Sequence, residues 1–170
     1  MDQSMQRMLA GLKEAIKAES DGYHFYMMAA QTTKDPQGRY VFEQLAQEEL
    51  HHMQFLSTQY KSLLDTGKTT SLAALGTRSV LSSASPIFSP QIKDRIKEAH
   101  YEMSALSIGI QLEFNAIGFY KQQAEQAAIP EVQHFFRELA EWETGHYNAL
   151  LGQQDLLKQD YWDGAGFAPF

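Results

Sequence analysis

At 170 residues, 44% of them apolar and 21% charged, the chain fits one globular domain with a sizeable core. A net charge of −7 without any lysine or arginine run argues against a nucleic-acid partner. The absence of cysteine excludes disulfides, zinc ribbons, thiolate-held iron and a cysteine nucleophile.

The N-terminus MDQSMQRMLAGLKEA lacks the apolar core of a signal peptide. A first helix is expected over residues 4–33, with Leu12, Ile16, Tyr23, Tyr26 and Ala30 at helical spacing. Met27 and Met28 are read as core at that spacing, so heme is not indicated. Asp35-Pro36 is a stop followed by a new start, and a second helix is expected over 36–64. Residues 65–89 are rich in Ser, Thr, Gly and Pro and read as a long crossover with at most one short helical turn. Ser89-Pro90 reads as the N-cap and first turn of a third helix over 90–128. Ile129-Pro130 repeats the earlier punctuation ahead of a fourth, over 130–158. The most apolar stretch, residues 104–120, is interrupted by Gln111, Glu113 and Asn115, so no membrane span is expected and a cytoplasmic protein is. The tail DYWDGAGFAPF reads as irregular and packed on the surface or on a neighbouring subunit. The fold class expected is all-α, a single domain over 1–170. It is a four-helix bundle of two antiparallel hairpins joined by the crossover.

Sliding the sequence against itself by 94 residues aligns 16–56 with 110–150 without a gap, and twelve of the 41 positions are identical. Ordinary residue usage gives roughly two or three. A shared helical pattern explains the apolar matches but not Glu19/Glu113, Glu49/Glu143 and His52/His146. In each half a glutamate lies 30 residues before a Glu-x-x-His. Glu19 and Glu49 flank the Pro36 bend at similar distances, about 20 Å at ~1.5 Å per residue, so the hairpin brings them to one height. Glu49 and His52 share the helix face of Leu45 and Leu56, which is the core face.

A lone Glu-x-x-His is mostly a solvated surface pair. Here four carboxylates and two imidazoles would point into one interior, where uncompensated charge is prohibitive. Two divalent cations neutralise four carboxylates. One Glu from each of two helices plus Glu-x-x-His from each of the others is the donor set of a di-metal carboxylate centre. The metal ligands expected are Glu19, Glu49, His52, Glu113, Glu143 and His146. Oxygen and nitrogen donors favour iron or manganese, and zinc can occupy such a site without redox function.

Tyr26 and Tyr120 lie two turns beyond Glu19 and Glu113 and are expected to hydrogen-bond a metal-bound carboxylate. Tyr23 is a weaker candidate, since its repeat partner is Ile117. Glu48 and His51 fall opposite Trp142 and Gly145 in the repeat and read as bystanders, although Glu48 is placed to brace a histidine across the site. His24, His100 and His134 have no partner pattern.

With these residues in place, the sequence resembles the ferritin-like superfamily, in particular its bacterioferritin and rubrerythrin branches, over both hairpins. The resemblance implies a di-iron site in which Glu49 and Glu143 bridge, Glu19 and His52 complete one iron, and Glu113 and His146 the other. It implies Fe(II) oxidation or reduction of O2 or H2O2, an oxidoreductase of ferroxidase or peroxidase type serving oxidative stress or iron handling. An external electron donor and a homo-oligomer, dimer or larger, are implied as partners. The alternative is an iron-storage cage subunit, and the third reading a helical interaction module with structural metals. Two departures stand out. Rubrerythrins usually carry a C-terminal iron–thiolate (rubredoxin-type) domain, which needs the cysteines this chain lacks. They also carry an extra glutamate one turn along the third helix, where Ile110 and Ala116 occupy the neighbouring turns here.

Overall fold

Each hairpin is made by local punctuation. In the computed structural model, which describes residues 3–76, 81 and 86–165, helix α1 spans Gln3–Thr32 and α2 spans Pro36–Thr66. Asp35 Oδ1 accepts the Gly38 N–H at 2.8 Å, capping α2, and Pro36 sits at the first turn, where no N–H is needed. Gly67 ends the helix at φ 70°, a left-handed conformation that glycine adopts freely, and its N–H closes on the Leu63 carbonyl at 3.0 Å. Among the described residues of the crossover, Leu72–Leu75 form a 3₁₀ turn. Helix α3 spans His100–Gln126 and α4 spans Pro130–Ala165.

Two expected boundaries shift. Residues 90–98 do not begin the third α-helix; they form a separate 3₁₀ segment, Pro90–Glu98, kinked at Arg95. Ser89 gives no side-chain cap to it, because its hydroxyl is donated to Asp35 Oδ2. Arg95 in turn bonds the buried Glu102 at 3.1 Å, while Ile92 and Ile96 enter the core. The fourth helix continues past 158 to Ala165, so the first part of the tail is helical rather than irregular. Lys93 holds its last turns through Asp160 at 2.9 Å. Residues 166–170 of that tail lie outside the described ones.

Helix α1 packs along α2 and α3 along α4, with α1 also against α3; among the described residues there is no strand. The ends are tied together: Asp35 Oδ1 also accepts the Ser89 N–H at 3.0 Å, and Gln153 Oε1 accepts the Ile87 N–H at 2.6 Å. Apolar side chains form two clusters. One joins the start of α1 and end of α2 to the end of α3 and start of α4, around Leu12, Leu56, Tyr120 and Phe136. The other joins the opposite ends around Tyr26, Phe42, Leu106 and Leu150. Between them lies a polar layer, and that layer is the site. Met28, read as core, is instead half exposed (51%), because it lies two residues, about 200°, around α1 from the inward Tyr26. Met27 is partly buried against the second cluster.

Candidate metal centre

The polar layer is built from six side chains: Glu19 on α1, Glu49 and His52 on α2, Glu113 on α3, Glu143 and His146 on α4. All are buried at 5% exposure or less, which for four carboxylates demands compensation. Their donor atoms gather into two groups, Glu19–Glu49–His52–Glu143 and Glu49–Glu113–Glu143–His146, each within a 4.8 Å span. Glu49 and Glu143 belong to both. The structure therefore brings together the whole sequence-predicted set, with the two glutamates of the Glu-x-x-His motifs in the shared positions.

The first group fits a cation by its own unsatisfied chemistry. Glu19 Oε2, Glu49 Oε1, His52 Nδ1 and Glu143 Oε1 are buried without a hydrogen-bond partner, and all four come from the first group. His52 Nδ1 lies 3.3 Å from Glu19 Oε2 and 3.1 Å from Glu143 Oε1, near enough but without hydrogen-bond alignment. Orphaned buried atoms cost about 1–3 kcal/mol each, more when charged, and one cation would satisfy the four together. In the second group His146 Nδ1 lies 2.9 Å from Glu143 Oε2, 3.5 Å from Glu49 Oε1 and 3.8 Å from Glu113 Oε1.

With protons alone in the layer, its titration is strongly skewed. Burial, reinforced by Glu143, raises Glu49 and Glu113 well above the ordinary carboxylate range. Burial opposes charge on His52, yet the facing Glu143 and Glu19 outweigh it and push the imidazole up to about 10. His146 is likewise raised against its burial, by Glu143, Glu48 and Glu49. Glu143, facing both imidazoles, is held well below the usual range despite its burial. Protons thus occupy the place that cations would take, and a metal must displace them to bind.

Tyr26 and Tyr120 reach across the repeat. The Tyr26 hydroxyl donates to Glu113 Oε1 and the Tyr120 hydroxyl to Glu19 Oε1, so each tyrosine orients the carboxylate of the opposite hairpin. Burial, then the facing glutamate, raises both phenols, which keeps their protons in place as donors. Tyr23 packs on the second apolar cluster instead.

Glu48 is no bystander: its Oε2 lies 2.7 Å from His146 Nε2, the nitrogen facing away from the layer. His51 is half-buried, with Nε2 2.8 Å from the Leu75 carbonyl oxygen. His24, His100 and His134 are exposed, and His24 Nδ1 bonds the Ser20 carbonyl at 2.6 Å. The sequence reading also leaves a further buried glutamate unremarked. Glu102 is buried away from the layer, bonded to Thr33 Oγ1 at 3.1 Å as well as to Arg95, and so ties the hairpin bend to α3.

A cleft of about 210 Å³ opens between α1 and α3 onto the layer, lined by the repeat pairs Glu19/Glu113, Gly22/Ala116 and Tyr26/Tyr120, with Glu49 at its floor. Gly22 permits the close approach there, since a Cβ on it would stand 3.0 Å from Glu49 Oε2. No described helix is long and apolar enough to cross a membrane.

No curated protein and no solved structure matched the chain. A family model did: that of Rubrerythrin, over residues 11–152, which takes in both hairpins, all six buried ligand-type residues and both tyrosines. The all-α bundle and its buried carboxylate–histidine layer fit the di-iron centre of that family, and the chain is a member of the Rubrerythrin family within the ferritin-like superfamily.

Proposed function

We propose that the protein is a di-iron oxidoreductase that oxidises Fe(II) or reduces O2 or H2O2 in iron handling or oxidative-stress defence. The observation that carries this reading is the pair of buried donor groups sharing Glu49 and Glu143 beneath an open cleft. Glu49 and Glu143, common to both donor groups, would serve both metals, Glu19 and His52 one of them, and Glu113 and His146 the other. Two bound irons supply the one-electron changes that O2 or H2O2 chemistry requires. The chain supplies the rest. The apolar clusters above and below keep bulk water from the layer, and the cleft admits a molecule of the size of O2 or H2O2. Tyr26 and Tyr120 fix Glu113 and Glu19 by one oxygen each, leaving the other free to bind. These 170 residues hold no thiolate to bind a further iron, so the electrons reach the layer from Fe(II) itself or from a donor outside the bundle.

The test is anaerobic loading with two equivalents of Fe(II), then O2 or H2O2, followed by near-ultraviolet absorbance. Oxidation is expected in the wild type, and its loss in Glu49→Ala and His146→Ala with helical circular dichroism retained. No oxidation in the wild type, or full activity in both variants, would refute the assignment. A homo-oligomer, dimer or larger, belongs to the same reading. Light scattering separates a dimer from a storage shell.

A further inference from the structure

The repeat makes the six ligand-type residues symmetric, but what stands behind the two histidines is not. Both rings turn Nδ1 toward the carboxylates, and they stack 6.2 Å apart at 21°. Behind His146, Nε2 meets Glu48 Oε2 at 2.7 Å. Behind His52, Nε2 is buried with no hydrogen-bond partner. The residue at the repeat position of Glu48 is Trp142, whose ring stands nearly perpendicular to His52 at 4.8 Å between centroids. An indole has no lone pair to offer, and an N–H against an aromatic ring is a weak bond.

The chemistry that follows is unequal. An imidazole that binds a cation through Nδ1 must carry its proton on Nε2. A carboxylate accepting that proton fixes the tautomer, locks the ring and raises its donor strength. Glu48 can do this cheaply, because its side chain is 22% exposed at the rim of a surface pocket and keeps part of its hydration. His52 has to bind with an unanswered N–H.

We propose that Glu48 is a positioning residue that makes the two metal positions unequal, the Glu113–His146 position filling before the Glu19–His52 position. The proposal rests on the di-metal reading above. Loss of a carboxylate behind a ligating histidine typically costs about 10–100-fold in metal affinity, so an inequality of that order is expected.

The experiment uses the full chain crystallised anaerobically at pH 7.5 with one equivalent of Co(II), and reads occupancy at both positions from anomalous difference density. With the positions binding independently, a gap of about 10–100-fold places roughly three-quarters to nine-tenths of the Co(II) beside His146. Glu48→Ala should bring the two occupancies toward parity, and Glu48→Gln, which keeps an acceptor, should fall between. A Glu48 that merely braced the fold would lower both occupancies together and leave their ratio unchanged. Equal occupancy in the wild type, preference for the His52 side, or an unmoved ratio in Glu48→Ala would overturn the proposal. Co(II) at neither position would remove the di-metal reading itself, and this inference with it.

Discussion

Raising the pH should weaken the metal-free protein and strengthen its hold on metal. His52 in the folded chain is pushed up to about 10 by Glu143 and Glu19, which outweigh its burial, whereas an unfolded histidine titrates near 6.5. Its folded value is the higher one, so its stabilisation is complete below about pH 6.5 and is lost progressively up to about pH 10. Across that window the native state holds one more proton than the unfolded chain. The slope is about 1.4 kcal/mol per pH unit, or about 3 kcal/mol between pH 6.5 and 8.5. His146, Glu49 and Glu113 are also raised in the fold, so each acts in the same direction. Glu143 acts oppositely, but its window lies below the ordinary carboxylate range and is finished before neutrality. For a chain of this size, 3 kcal/mol corresponds to a fall in Tm of about 6–12 °C.

Metal binding needs those protons gone, so the stabilisation by a cation grows over the same window. The assay is thermal unfolding followed by circular dichroism at 222 nm on chelator-treated and Mn(II)-loaded protein from pH 6.0 to 8.5. The apo Tm should fall and the gap between loaded and apo protein should widen. A flat or rising apo curve, or a gap that narrows, would show that the layer is not held together by protons in the absence of metal.

Tyr26→Phe and Tyr120→Phe keep ring packing but remove the donor to Glu113 or Glu19; each should cost the metal-loaded protein about 1–3 kcal/mol in urea unfolding. Unchanged midpoints in both would mean that the carboxylates need no help. Ala116→Leu narrows the cleft from the α3 side, and should slow Fe(II) oxidation at least about tenfold in stopped flow while metal content stays at wild type. An unaltered rate would place the oxidant's route elsewhere. Gly38→Ala drives a methyl to 2.5 Å from the Phe88 ring, an overpacking expected to cost about 1–3 kcal/mol, and differential scanning calorimetry should record the lower Tm. A wild-type Tm would mean that the crossover yields there freely.

The six inward residues were legible because a helix converts spacing into a face and the 94-residue repeat supplied a control within the same chain. Glu49 and His52 hold in that comparison while Glu48 and His51 do not, so a brace from Glu48 to a histidine across the site stands in the sequence only as a side reading. The contact joins residues 98 apart on α2 and α4, and only one half makes it. No repeat can reveal an interaction present once. The third helix was misplaced for a similar reason. Ser89-Pro90 is a sound local start, but the hydroxyl that would cap the helix is taken by Asp35, 54 residues away. The end of α4 carries no stop before its glycines, and its ion pair with Lys93 is again long-range.

These misses share a cause with the protein's chemistry. Duplication fixes the parts that must be equal: four carboxylates, two imidazoles and two tyrosines held between two apolar clusters. Symmetry of that kind places charge without telling the two metal positions apart. In this chain the differences sit one layer further out, where Glu48 faces Trp142 and Gly22 faces Ala116 across the repeat. Substitution there changes how a donor is held without removing the donor itself.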